Sequence, residues 1–163
     1  MDHPDTSPTG CDDGRVSKRT ILLGGSAGAG KTTLAQTLAR DFDASWLQLD
    51  TVWTAMKAAA GRGSSASNLL DVAGRMSRGG DSDADLLTAQ IAASEAVCAV
   101  LPEVFAFELD TRPVLVADGA WLLPSFVAGL ELPDTEVRCV FLQHADVDDL
   151  ANALALRLGG HPP

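Results

Sequence analysis

The stretch Thr20-Ile21-Leu22-Leu23-Gly24-Gly25-Ser26-Ala27-Gly28-Ala29-Gly30-Lys31-Thr32-Thr33-Leu34-Ala35 decides the reading of this chain. It opens on a short apolar run, Thr20 to Leu23, of the kind that buried strands carry. It continues through Gly25 to Thr32 in the pattern G-x-x-x-x-G-K-[ST]. From Thr33 to Phe42 the apolar residues Leu34, Leu38 and Phe42 recur every fourth position, which is the spacing of one helix face. A strand, a glycine loop and a helix in that order make a cradle for phosphate. Glycines let the backbone curl so that successive N–H groups point inward, and the helix N-terminus adds the positive end of its dipole. A lysine in the Lys31 position reaches the β- and γ-phosphates. The expected contacts are Gly25, Ser26, Ala27, Gly28, Ala29, Gly30, Lys31, Thr32 and Thr33, with the Thr32 hydroxyl a ligand of Mg²⁺. The alternative is a glycine-rich turn that fits the pattern by accident, with Lys31 a solvated helix residue.

Outward from this core, Ser45 to Leu49 reads as a second strand ending at Asp50, and Val52 to Ala60 as a helix stopped by Gly61 and Gly63. Ser64 to Asp83 is rich in Ser, Gly and Asp and reads as a partly helical insertion with a helical patch over Leu69 to Met76. Leu87, Ile91, Val97, Leu101 and Phe105 form a stripe that fits a long helix, kinked or divided at Pro102. Pro113 to Asp118 and Val137 to Leu142 are nearly continuous apolar runs, the pattern of strands buried on both faces of a parallel sheet. A last helix is expected over 147–158, with Asp146 as N-cap and Gly159 as its stop. Strands separated by helices, joined by right-handed crossovers, predict an α/β domain: three layers, α/β/α, around a mostly parallel, doubly wound sheet of about four strands. Residues 1–17, with Asp2, Asp5 and Asp12 among prolines and glycines, read as a disordered leader, and 18–163 as one nucleotide-binding domain.

Composition narrows the classes of partner. A formal net charge of −10 works against nucleic acid, whose binding rests on clustered Lys and Arg. It does not oppose a nucleotide, because backbone amides and one lysine can hold phosphates on an acidic protein. Cys11, Cys98 and Cys139 are far apart and form no C-x-x-C pair, so they read as plain thiols. No run approaches the roughly 20 apolar residues of a membrane helix, and the acidic N-terminus is unlike a signal peptide, which predicts a cytoplasmic protein without a membrane partner.

The segment GGSAGAGKTTLA resembles the loop of small P-loop NTPases of the adenylate, shikimate and 2-phosphoglycerate kinase kind. LQLDTVWTAM resembles the place where such kinases hold their acceptor, and VLVADGAWLLP their third strand with its acidic-Gly step. The resemblance spans about residues 20–160 and implies Mg-ATP as phosphoryl donor and a small molecule as acceptor. It implies that Asp50 holds or deprotonates the acceptor hydroxyl, and that Asp118 joins Thr32 at Mg²⁺, through water. It also implies that Arg157, in LALRLGG, begins the lid that closes over ATP. Bland alternatives stand beside each: Asp50 as a helix cap, Asp118 as a strand-ending turn, Arg157 as an ordinary partner of a helix dipole. Arg62, Arg75 and Arg78 are either grips for an anionic acceptor or a solubilising face, and Trp53 and Met56 either line a pocket or pack into the core. Such kinases continue with further helix, a fifth strand and an adenine-wrapping loop, so this chain reads as C-terminally short. The strand at Val137 to Leu142 would then form an open sheet edge that invites pairing with a second copy.

Three functions fit these features: a small-molecule kinase, an ATPase or nucleotide-gated binding module, and a non-catalytic remnant. A GTPase does not, because there is no Asn-Lys-x-Asp motif and Asp118-Gly119-Ala120-Trp121 lacks the glycine of a D-x-x-G switch.

Overall fold

The leading apolar run does become a strand, and it is the one on which the sheet is built. In this computed structural model residues 17–144, with Asp146 and Asp148, are described. β1 (Lys18–Gly25) leads through the glycine loop to α1 (Lys31–Asp41), and β2 (Ser45–Gln48) follows. Then come α2 (Leu49–Ala59), α3 (Ser65–Leu69), α4 (Val72–Arg78), α5 (Asp83–Cys98) and α6 (Leu101–Thr111). β3 (Val114–Asp118), α7 (Pro124–Ala128) and β4 (Thr135–Leu142) complete the described elements. The strands lie in the order β2-β3-β1-β4 and every pairing is parallel. β1 is therefore interior, with Leu23 beside Asp118 of β3 on one side and Val140 of β4 on the other.

Alternation along the strands divides the apolar side chains between two layers. Leu22, Leu115 and Ala117 face the larger core, with Leu49, Val97, Leu101, Phe105 and Leu109. Leu23 and Val116 face the other side, against Ala35 of α1 with Leu38 and Ala39 around them. Helices on both faces make the three-layer α/β/α arrangement that the strand–loop–helix pattern predicts.

Several local expectations change. On α1 the sheet-facing residues are Lys31, Ala35 and Leu38, so of the stripe read at every fourth position Leu38 faces the sheet, whereas Leu34 and Phe42 stay exposed. Small Ala35 at the contact lets the helix lie close to β3. The long stripe divides as well: α5 ends at Cys98 and α6 begins at Leu101, with Pro102 in its first turn, where a missing N–H costs nothing. The two helices meet at 43°. Val97, Leu101 and Phe105 are buried, but Leu87 and Ile91 are exposed, and Ala89 and Ala93 make the contact instead. The insertion is more ordered than its composition suggests, since it holds α3, α4 and the start of α5. Ser82 and Asp85 form a reciprocal capping box there.

Among the described residues no strand pairs the outer side of β4, where Val140 and Phe141 are exposed. No single described helix is long and apolar enough to cross a membrane. Asp146 accepts a bond from the Asp148 N–H at 2.7 Å, as an N-cap does. Apart from Asp148, the helix expected over 147–158, with Arg157 in that range, lies outside the described residues, as do Cys11 and residues 1–16.

Candidate functional site

The glycine loop leaves β1 and enters α1 through left-handed backbone. Gly25, Gly28 and Gly30 have φ of 117°, 82° and 82°, values that side chains resist. At Gly25 a Cβ would also collide with the Leu142 carbonyl of β4. The glycines of the motif are thus required by local geometry as well as by any ligand. Lys31 is the first residue of α1 and is 7% exposed, with its Nζ donating to the Ser26 carbonyl at 2.6 Å. The loop curls around the amine, which fits a cradle and not a solvated helix lysine. Ser26 Oγ is buried with no hydrogen-bond partner among the described residues, a cost that a ligand oxygen in the loop would offset. These two features are the ones a bound phosphate group would use.

Asp118 is the last residue of β3 and 1% exposed. Its Oδ2 accepts from the Thr32 hydroxyl at 2.7 Å, and its Oδ1 accepts from the Trp46 indole N–H at 2.7 Å. The register explains the contact: Asp118 lies beside Leu23 of β1 and Gln48 of β2, on the face that α1 covers. A buried carboxyl group needs such hydrogen-bond partners. Thr32 donates a hydrogen bond to Asp118, and a hydroxyl and a carboxylate placed side by side in this way could together hold a divalent cation.

Asp50 differs from its expected place. β2 stops at Gln48 and α2 begins at Leu49, so Asp50 sits in the first helical turn and not at a strand end. A negative charge there is favoured by the helix dipole. It is not the N-cap, which is Gln48, and its Oδ1 accepts from the Trp121 indole N–H at 2.8 Å. A shallow cleft of about 420 Å³ opens beside it, lined by Gln48, Asp50, Thr51, Thr54, Ala55 and Ala58.

Trp121 in turn stacks on Trp53, with ring centroids 5.1 Å apart and planes at 18°. Trp53 donates to the Leu70 carbonyl at 3.0 Å, and the Lys57 amine lies 5.3 Å from its ring centre. Trp53 and Met56 both pack against the larger core. Asp50, Trp53 and Lys57 fall on one face of α2, at i, i+3 and i+7. Lys57 pairs with Asp71 at 2.5 Å and Arg78 pairs with the same carboxylate at 3.0 Å, while Arg75 pairs with Asp81 at 2.8 Å. Hydrogen bonds from Lys57 and Arg78 hold the Asp71 carboxyl below the usual carboxylate range. Arg75 and Arg78 border a cleft of about 360 Å³ with Asn68, Gly79 and Asp81, and Arg62 is exposed apart from it.

The geometry thus joins the loop to Asp118 through Thr32, and Asp50 to the segment after β3 through Trp121. The tryptophan partners of the two aspartates went unread in the sequence. Trp121 stands three residues after Asp118, a proximity that could have drawn notice, but Trp46 reaches Asp118 only through the β2–β3 register, which no local pattern reveals.

No family model matches this chain, and no curated protein matches it. Among solved structures, the chain is similar to the crystal structure of a gluconokinase from Sinorhizobium meliloti 1021 at 20% identity and a TM-score of 0.45. That alignment covers 91% of this chain and 70% of the other.

Proposed function

We propose that this protein binds Mg-ATP in the loop from Gly25 to Thr33 and transfers the γ-phosphoryl group to a small-molecule acceptor. The observation that carries the reading is the 2.7 Å bond between Thr32 and Asp118, at the mouth of a loop that encloses Lys31. Phosphoryl transfer asks a protein for a phosphate clamp, a held cation, a held acceptor and positive charge on the moving group. When bound, Mg-ATP supplies the transferable group and the divalent charge. Lys31 and the amides of Gly28 to Thr32 are the clamp. Thr32 and Asp118 would hold the cation, Asp118 through water. Asp50, fixed by Trp121, orients the acceptor hydroxyl or accepts its proton in the cleft lined by Thr51 and Thr54. Arg157 would supply further positive charge, as the resemblance of LALRLGG to such kinases implies.

The protein is further proposed to be cytoplasmic, without a nucleic-acid partner given its net charge of −10, and without a membrane partner given that no run approaches the roughly 20 apolar residues of a membrane helix. The outer side of β4 pairs with a second copy. Sedimentation of the full chain at increasing concentration tests that pairing, which a strictly monomeric protein would exclude.

The reading is tested by incubating the protein with γ-labelled ATP, Mg²⁺ and a panel of sugars, hydroxy acids, nucleosides and aminoglycosides. Label on one acceptor, lost in Asp50→Asn, supports the kinase. Label found only as free phosphate makes the protein an ATPase, and binding without either product makes it a non-catalytic remnant.

A further inference from the structure

We infer that Trp121 is a positioning residue, which fixes Asp50 relative to the Thr32–Asp118 pair through the short segment Asp118–Trp121. The inference rests on the phosphoryl-transfer reading of that site.

The segment is anchored at Asp118, Gly119 and Trp121. At its start, Asp118 accepts from both Thr32 and Trp46. Gly119 donates its N–H to the Leu23 carbonyl at 3.1 Å, which ties the first residue beyond β3 to β1 just before the loop. A Cβ on Gly119 would lie 2.7 Å from the Leu49 Cβ, so the backbone rests directly on the residue that precedes Asp50. At its end, the Trp121 carbonyl accepts from the buried Cys98 thiol at 3.3 Å, and the ring is 8% exposed and stacked on Trp53. The indole N–H therefore points at Asp50 from a side chain that cannot easily turn.

Among the described residues the Trp121 indole supplies the side-chain hydrogen bond of Asp50, whose own helix holds it only through the backbone, where Thr54 donates to the Asp50 carbonyl at 2.7 Å. A carboxylate on the first turn of a helix otherwise samples several rotamers. A group that must meet an acceptor hydroxyl within hydrogen-bond range gains from losing that freedom before the acceptor arrives. Trp121 removes it, and because the same short segment begins at Asp118, the separation between acceptor group and cation site is set by a few rigid bonds. Trp121 touches neither nucleotide nor acceptor in this account and acts only through Asp50.

The test uses water as the acceptor that is always present. Mg-ATP hydrolysis is measured for the full chain and for Trp121→Phe, Asp50→Asn and the double variant, with Mg-ATP affinity from calorimetry and thermal midpoints for all four. Phe keeps an aromatic ring on Trp53 and removes only the donor. The expected result is a kcat for Trp121→Phe lower by about tenfold with KM for Mg-ATP unchanged, and no further loss when Trp121→Phe is added to Asp50→Asn. A purely structural role for the ring would lower kcat in both backgrounds alike, even where the variant is less stable. Equal loss in both backgrounds, or wild-type turnover in Trp121→Phe, overturns the inference alone. Absence of both Mg-ATP binding and hydrolysis in the folded wild-type chain overturns the phosphoryl-transfer reading and this inference with it.

Discussion

The Thr32 hydroxyl and the Asp118 carboxylate are joined at 2.7 Å although 86 positions separate them in the chain. One belongs to the first turn of α1 and the other ends β3, and the parallel pairing of β1 with β3 brings both to the same edge of the sheet. Ligands of parallel α/β sheets collect at that edge, beyond the carboxyl ends of the strands.

Asp118→Asn can keep its Oδ1 on the Trp46 indole N–H and turn its amide toward the Thr32 hydroxyl, which then accepts and no longer donates. The bonds of the carboxylate are replaced by weaker amide ones, at a cost of about 1–3 kcal/mol. The expected outcome is a thermal midpoint lower by roughly 2–10 °C, with turnover reduced and metal-free nucleotide affinity nearly unchanged. Calorimetry with and without Mg²⁺, beside a thermal scan, checks all three, and equal turnover would remove Asp118 from the cation site.

Much of this arrangement was legible in the sequence. The run Thr20 to Leu23 and the motif after it yield β1, the loop and α1 because composition and spacing act locally there. Pro113 to Asp118 likewise reads as a buried strand because both of its faces are covered. The faces of helices were less legible. On α1 the alternation of small and large residues hides the contact, since Ala35 packs more closely than Leu34 can. Asp50 was placed at a strand end, but α2 starts three residues before the helix that was read from Val52. The bonds from Trp46 and Trp121 depend on strand order and loop path, which local periodicity does not encode.

At Gly25→Ala the new methyl meets the Leu142 carbonyl, and the backbone must keep a φ near 117°. Neither can relax without moving β4 from β1. Loss of about 3 kcal/mol or more in urea unfolding is expected, whereas a change under 1 kcal/mol would mean that the loop entry has another geometry.

The helical insertion should weaken in acid. Lys57 and Arg78 hold the folded Asp71 carboxyl below its ordinary value of 3.8, and Arg75 does the same to Asp81. A carboxyl with a lowered folded value contributes stability that is fully present above the ordinary value and is lost as pH falls through the folded one. Because Lys57 also lies over the Trp53 ring, tryptophan fluorescence should change across that acid window. In Asp71→Asn the change should be reduced, and an identical acid profile in the variant would place the acid sensitivity elsewhere.

Whether the loop around Lys31 clamps phosphate is decided by titrating the full chain with ATP in a calorimeter, with and without Mg²⁺, and with Lys31→Ala as the comparison. One-site binding that strengthens with Mg²⁺ and falls by at least about tenfold in Lys31→Ala is expected. A folded wild-type chain that takes up no Mg-ATP would mean that the loop is not a phosphate clamp.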